Sequence, residues 1–291
     1  MLAEVPVAQL PNETLPQPET LYDADSFCDA YRDVISLVKH GLKEAEARFG
    51  FGDDDLQRAD TVIHSDQLHS HLEQALANGN YPDILADEQM RSLIIEMACI
   101  GTLGKLVELQ LQKDRLSVSI LYKQRVIEMN HAFAGLADSE LRGQLGLGRR
   151  HLRELIGATL GVHPSSKEVT RLEKGIAVEV GTKKCLEDLG RELGTEVRWA
   201  SAIEDSKNID IVCTQGKKKL DIQVKSNDLV GSVIDDNQKA LYTPMEEYGI
   251  DEYRVRQLSP AADTAIGENF EVRAPRYKQV IEQLLEEFNN L

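Results

Sequence analysis

The chain has 291 residues, 42% hydrophobic and 28% charged, the profile of a soluble globular protein long enough for one large or two ordinary domains. No apolar run approaches the ~18 residues needed to span a bilayer, and the N-terminus lacks a basic-then-apolar signal. The expectation is an intracellular, cytoplasmic protein with no membrane partner. A net charge of −16, from 49 acids against 33 bases, argues against indiscriminate binding to polyanions, so any nucleic-acid contact must rest on local basic patches.

Residues 1–20, "MLAEVPVAQLPNETLPQPET", hold four prolines and little periodicity, and read as a flexible arm. From Leu21 to residue 162 apolar residues recur at helical spacing, which predicts an all-helical domain over 21–162. "SFCDAYRDVISLVKHGLKEAEARFG" is one amphipathic helix ending near Gly50. "DEQMRSLIIEMACIGTLGKLVELQLQ" is apolar nearly all round at its start, as a buried helix is, and "RLSVSILYKQRVIEMNHAFAGL" continues the bundle. Histidines 64, 69 and 71 do not converge on a helix and read as surface residues. The four cysteines, Cys28, Cys99, Cys185 and Cys213, are far apart and form no CxxC pair, so buried free thiols are expected.

Within this domain "DSELRGQLGLGRRHLRELIG" (138–157) offers two short helices around Gly146, with Leu141, Leu145, Leu147, Leu152 and Leu155 at packing positions. It resembles the DNA-binding helix-turn-helix, whose second helix enters the major groove. The second helix would present Arg149, Arg150, His151 and Arg153 to DNA. Arg142 departs from the family, which prefers a small residue there.

After His163-Pro164 the pattern changes, and 163–291 reads as a mixed α/β domain. A helix over Lys167–Leu193 leads to β-type runs "TEVRWAS", "IDIVCT" and "LDIQVKS". A helix candidate "DDNQKALYTPMEEYG", a β-run "EYRVRQL" and an amphipathic helix at the C-terminus follow. The order is α-β-β-β-α-β, and the fold class expected overall is α+β.

Alternation puts Asp221, Gln223 and Lys225 on one face of the third run. Pairing Asp210 with either Asp221 or Gln223 brings it to that same face. Two carboxylates, an amide carbonyl and an ammonium suit Mg²⁺ or Mn²⁺ and an activated water, the requirements of phosphodiester hydrolysis. Lys217, Lys218 and Lys219 in the hairpin turn stand ready for a phosphate backbone.

Asp210, twelve residues, then "QVK" resembles the PD-(D/E)xK superfamily of restriction-endonuclease-like nucleases, in the variant with glutamine for the second acid. "EKGIAVEVGTKKCLEDLG" supplies the family's helix glutamate as Gly175 and Glu179 in a G-x-x-x-E pattern, and the element order agrees. The resemblance spans roughly 167–258. It implies a restriction-endonuclease-like core with Asp210 and Gln223 on the metal, Glu179 on the metal or its water, and Lys225 beside the nucleophile. Asp221 is a further candidate ligand that offsets the neutral Gln223. The implied function is a Mg²⁺-dependent (or Mn²⁺-dependent) endonuclease of restriction or homing type, acting on double-stranded DNA as a homodimer. The alternatives are a structure-selective repair or recombination nuclease, and a non-catalytic DNA-binding protein on a degenerate nuclease fold.

Overall fold

The computed structural model describes residues 22–49, 56–79, 81–113, 120–205, 209–224, 243–245, 255–258, 260 and 262–290. The expected arm at 1–20 lies outside them. The chain divides into two compact units, Met1–Thr170 and Arg171–Leu291. The division falls within the first turn of a long helix rather than at His163-Pro164.

The first unit is helical among its described residues: α1 (Ala24–Phe49), α2 (Leu56–Ile63), α3 (Asp66–Asn78), a 3-10 turn (Asp83–Ala86), α4 (Glu88–Lys113), α5 (Ile120–Asp138), α6 (Glu140–Leu145) and α7 (Arg149–Leu160). Helix α4 packs on α5 and α1, and α1 packs on α7. Phe27, Tyr31, Val34, Ile35 and Val38 of α1 recur at the 3.6-residue period and are all buried, as are Ile94, Met97 and Ala98 of α4 and Phe133 of α5. A hydrogen bond of 2.6 Å between Tyr31 Oη and Thr159 Oγ1 joins α1 to α7 inside this core. No helix among the described residues is long and apolar enough to cross a membrane.

The second unit holds most of α8 (Lys167–Leu193), then β1 (Glu196–Trp199), α9 (Ala202–Asp205), β2 (Ile211–Gln215), β3 (Lys218–Val224), β4 (Thr243–Met245), β5 (Val255–Leu258), α10 (Ala262–Ala265) and α11 (Pro275–Asn290). The five strands form one sheet in the order β1-β2-β3-β5-β4. The first three run antiparallel in succession, β5 is parallel to β3, and β4 is antiparallel to β5. Helices and a mixed sheet together make the protein α+β.

The helix expected over 235–249 is corrected in part. Thr243–Met245 is a strand, β4, and the remainder of that stretch lies outside the described residues. Pro244 has no N–H to give a helix and clashes with the preceding turn, whereas the edge position that β4 occupies tolerates it.

Candidate metal and nucleic-acid site

The β2–β3 hairpin sets the geometry of the candidate site. Gln215 pairs with Lys218, so the turn is Gly216-Lys217, and Gly216 takes φ 60, a conformation that costs a glycine little. The register runs Val212↔Asp221 and Ile211↔Ile222, and continued regularly it would bring Asp210 level with Gln223.

Alternation fails at Asp210 itself. Its N–H donates to Ile222 O at 2.9 Å although Ile222 is already level with Ile211, so two consecutive residues face one. That is the geometry of a β-bulge, which re-aims a side chain. The Asp210 carboxylate is turned to the end of β3, where Oδ2 accepts from Val224 N at 2.5 Å. It therefore sits on the peptide group joining Gln223 to Val224. Gln223 is buried, 4% exposed. Lys225 lies outside the described residues.

Asp221 and Gln223 share one face of β3 with Lys219. Asp221 is 3% exposed and is not an open ligand, because its Oδ1 lies 3.0 Å from Lys219 Nζ. Lys219 is held in turn by Glu204 Oε1 at 2.9 Å, and Glu204 takes both Arg198 guanidinium nitrogens at 2.8 Å. The bond from Arg198, then the contacts from Ser201 and Lys219, keep the Glu204 carboxyl well below the usual carboxylate range against the effect of burial. This network was missed in the sequence. Its signal is the Ser-x-x-Glu of a capping box: Ser201 Oγ accepts from Glu204 N at 3.3 Å, and Glu204 Oε2 accepts from Ser201 N at 2.8 Å.

Glu179 belongs to the other side of the sheet. Lys183, one turn after it on α8, lies 5.5 Å over the Trp199 ring, and Trp199 is level with Ile211 and Ile222 on the face opposite Asp221. Glu179 and the Asp221–Gln223 pair are therefore not gathered on one surface. Asp210 is tied to the end of β3 through the Val224 N–H, and the described residues contain no cluster of three or more His, Cys, Asp or Glu able to hold a metal. One carboxylate and one amide carbonyl still fit Mg²⁺, which binds through one or two carboxylates and keeps waters and substrate phosphates as its remaining ligands.

The expected DNA-reading residues are placed as follows. Helices α6 and α7 do flank Gly146, whose φ of 70 ends α6 while Leu147 N donates to Arg142 O at 2.9 Å. Yet α7 presents little surface. Arg149 is 5% exposed, His151 Nδ1 caps the helix by accepting from Gly148 N at 3.1 Å, and Arg153 is half-buried. Arg150 is the only residue of α7 in the exposed range, and its Nη2 lies 3.0 Å from Asp25 Oδ1. A recognition helix must offer three or four side chains to base edges, and α7 does not. In the hairpin, Lys218 Nζ donates to Asn289 O at 2.8 Å and Lys219 is ion-paired, which leaves Lys217 exposed at the turn.

The expected free thiols are found: Cys28, Cys99, Cys185 and Cys213 are all buried and unpaired in disulfides. Burial pushes Cys28, Cys99 and Cys213 up to about 12 and Cys185 up to about 11, so none is a nucleophile at neutral pH. Histidines 64, 69 and 71 are exposed. Comparison with protein-family models, curated proteins and solved structures finds no match for this chain.

Proposed function

We propose that the chain is a divalent-metal-dependent DNA endonuclease that hydrolyses phosphodiester bonds at the sheet end carrying Asp210 and Gln223. The observation that supports this most is the contact between the Asp210 carboxylate and the peptide after Gln223, beside the buried Gln223 side chain. Asp210 and Gln223 would hold Mg²⁺ or Mn²⁺, and the ion would supply positive charge against the anion that develops at phosphorus. Lys225, two residues along from Gln223, would orient or help deprotonate the attacking water. Cutting both strands of a duplex with one such site per chain calls for a homodimer, of the restriction or homing kind by analogy with the nucleases that the D…QxK pattern resembles.

A second reading rests on a specific observation. The carboxylate nearest in sequence to Gln223, Asp221, is taken by Lys219, which leaves Asp210 as the acid of the hairpin among the described residues, and a site so poor in charge suits a binding module without turnover. Incubation of supercoiled plasmid with and without Mg²⁺ separates the two. Nicked or linear product that appears only with Mg²⁺ supports the endonuclease. Retarded but uncut plasmid leaves the binding module.

A further inference from the structure

If the bases on α7 and in the hairpin turn are largely engaged within the fold, a duplex brought to Asp210 must be held by others. Helices α8 and α11 locate them. Both are pinned by their C-terminal ends to the β2–β3 turn region, where Gln215 Nε2 donates to Leu193 O at 2.7 Å and Lys218 Nζ donates to Asn289 O at 2.8 Å. Farther from that turn they are joined by a buried 2.7 Å hydrogen bond between Thr182 Oγ1 and Tyr277 Oη.

Two lines place Tyr277 along the sheet. Thr182 adjoins Lys183, which stacks on Trp199, and Trp199 is level with Ile222, one residue before Gln223. By length, Tyr277 to Asn289 spans about 18 Å of helix, and Lys218 to Val224 about 20 Å of strand. The first turn of α11 thus comes to the Asp210 end of the sheet, on the face that carries Trp199 and Ile222.

That turn is basic and unspent. Arg276 and Lys278 flank the buried Tyr277, are both exposed, and make no ion pair with any described residue. Arg273 just before them is exposed as well, with Glu271 Oε1 2.6 Å from its Nη2. In a chain of net charge −16, free cations beside the candidate site are the groups able to replace counterions on a phosphate backbone.

We infer that Arg276 and Lys278 hold the phosphate backbone of the DNA duplex presented to Asp210 and Gln223. They are positioning residues, without base readout, and the inference rests on the endonuclease reading.

The test is the salt dependence of binding to a short mixed-sequence duplex, measured by fluorescence anisotropy in EDTA. Each lost phosphate contact removes about 0.9 from the slope of log affinity against log salt, so R276Q/K278Q should flatten it by about 1.8 and weaken binding roughly tenfold. The charge-preserving R276K/K278R should keep the parent slope. Thermal melting of each variant reports whether it is folded. A double glutamine variant that binds with the parent affinity and slope overturns the inference and leaves the endonuclease reading standing. A wild-type protein that neither binds the duplex nor cuts plasmid overturns both.

Discussion

Helix α7 and strand β3 both carry polar side chains into the interior, and the two are satisfied in different ways. On α7 every base that suggested DNA has a task inside the helical unit or little surface to offer: His151 caps its own helix, Arg150 pairs with Asp25, and Arg149 is buried. On β3 satisfaction is partial. Asp221 Oδ1 is buried and meets Lys219 Nζ at 3.0 Å without a further hydrogen bond among the described residues, and Gln223 is buried on the same face. Polar groups fully used by their neighbours indicate structure, whereas buried groups held short of their bonding capacity indicate a task the isolated fold does not complete. For this reason the candidate site is placed on the sheet and not on the helix-turn-helix.

The largest effect that can break this comparison is expected at Asp210. Asparagine keeps an oxygen for the Val224 N–H and removes the charge, so D210N should melt close to wild type while Mg²⁺-dependent plasmid cleavage falls by ~10²-fold or more. Cleavage near the wild-type rate in D210N would remove Asp210 from the chemistry. Gln223 sharpens the contrast, because an apolar side chain of similar shape removes the buried amide and keeps its volume. Q223M should unfold at the same or a higher urea concentration, by about 0–2 kcal/mol, and still lose most cleavage. Lower stability with cleavage intact would make Gln223 a structural residue.

A smaller effect concerns Glu204. Its pKa is depressed in the folded protein, so its contribution to stability is complete above the ordinary glutamate value of 4.5 and is lost as pH falls below it. Wild type should therefore lose melting temperature on acidification below that value more steeply than E204Q, and parallel melting curves against pH would contradict the network. The smallest effect is expected on α7. R150A loses one exposed ion pair, so stability should change by less than ~1 kcal/mol, with duplex affinity and its salt slope unchanged. A flattened slope in R150A would return DNA recognition to the helical unit.

Local patterns carried much of the fold in the sequence. Helix α8 was legible over Lys167–Leu193, and the hairpin was legible from alternating apolar residues on either side of Gly216. Helices α6 and α7 were legible from leucine spacing around Gly146, because a left-handed glycine ends a helix wherever it occurs. What escaped depends on partners distant in the chain. The engagement of Arg150 and His151 comes from α1 and from backbone geometry, which no spacing within 138–157 reveals. The bulge at Asp210 breaks alternation at the one residue whose facing mattered most. The position of Glu179 opposite Asp221 follows from which face of the sheet α8 covers, and helix periodicity is silent on that choice.

Manganese binding to the protein alone tests the central claim most directly, since it asks whether Asp210 and Gln223 form a divalent-metal site before any substrate is added. Electron paramagnetic resonance titration of free Mn²⁺ should show about one site per wild-type chain, weakened at least tenfold in D210N, with both proteins equally folded by circular dichroism. Equal Mn²⁺ uptake by the two proteins, or none by wild type at millimolar metal, would contradict it.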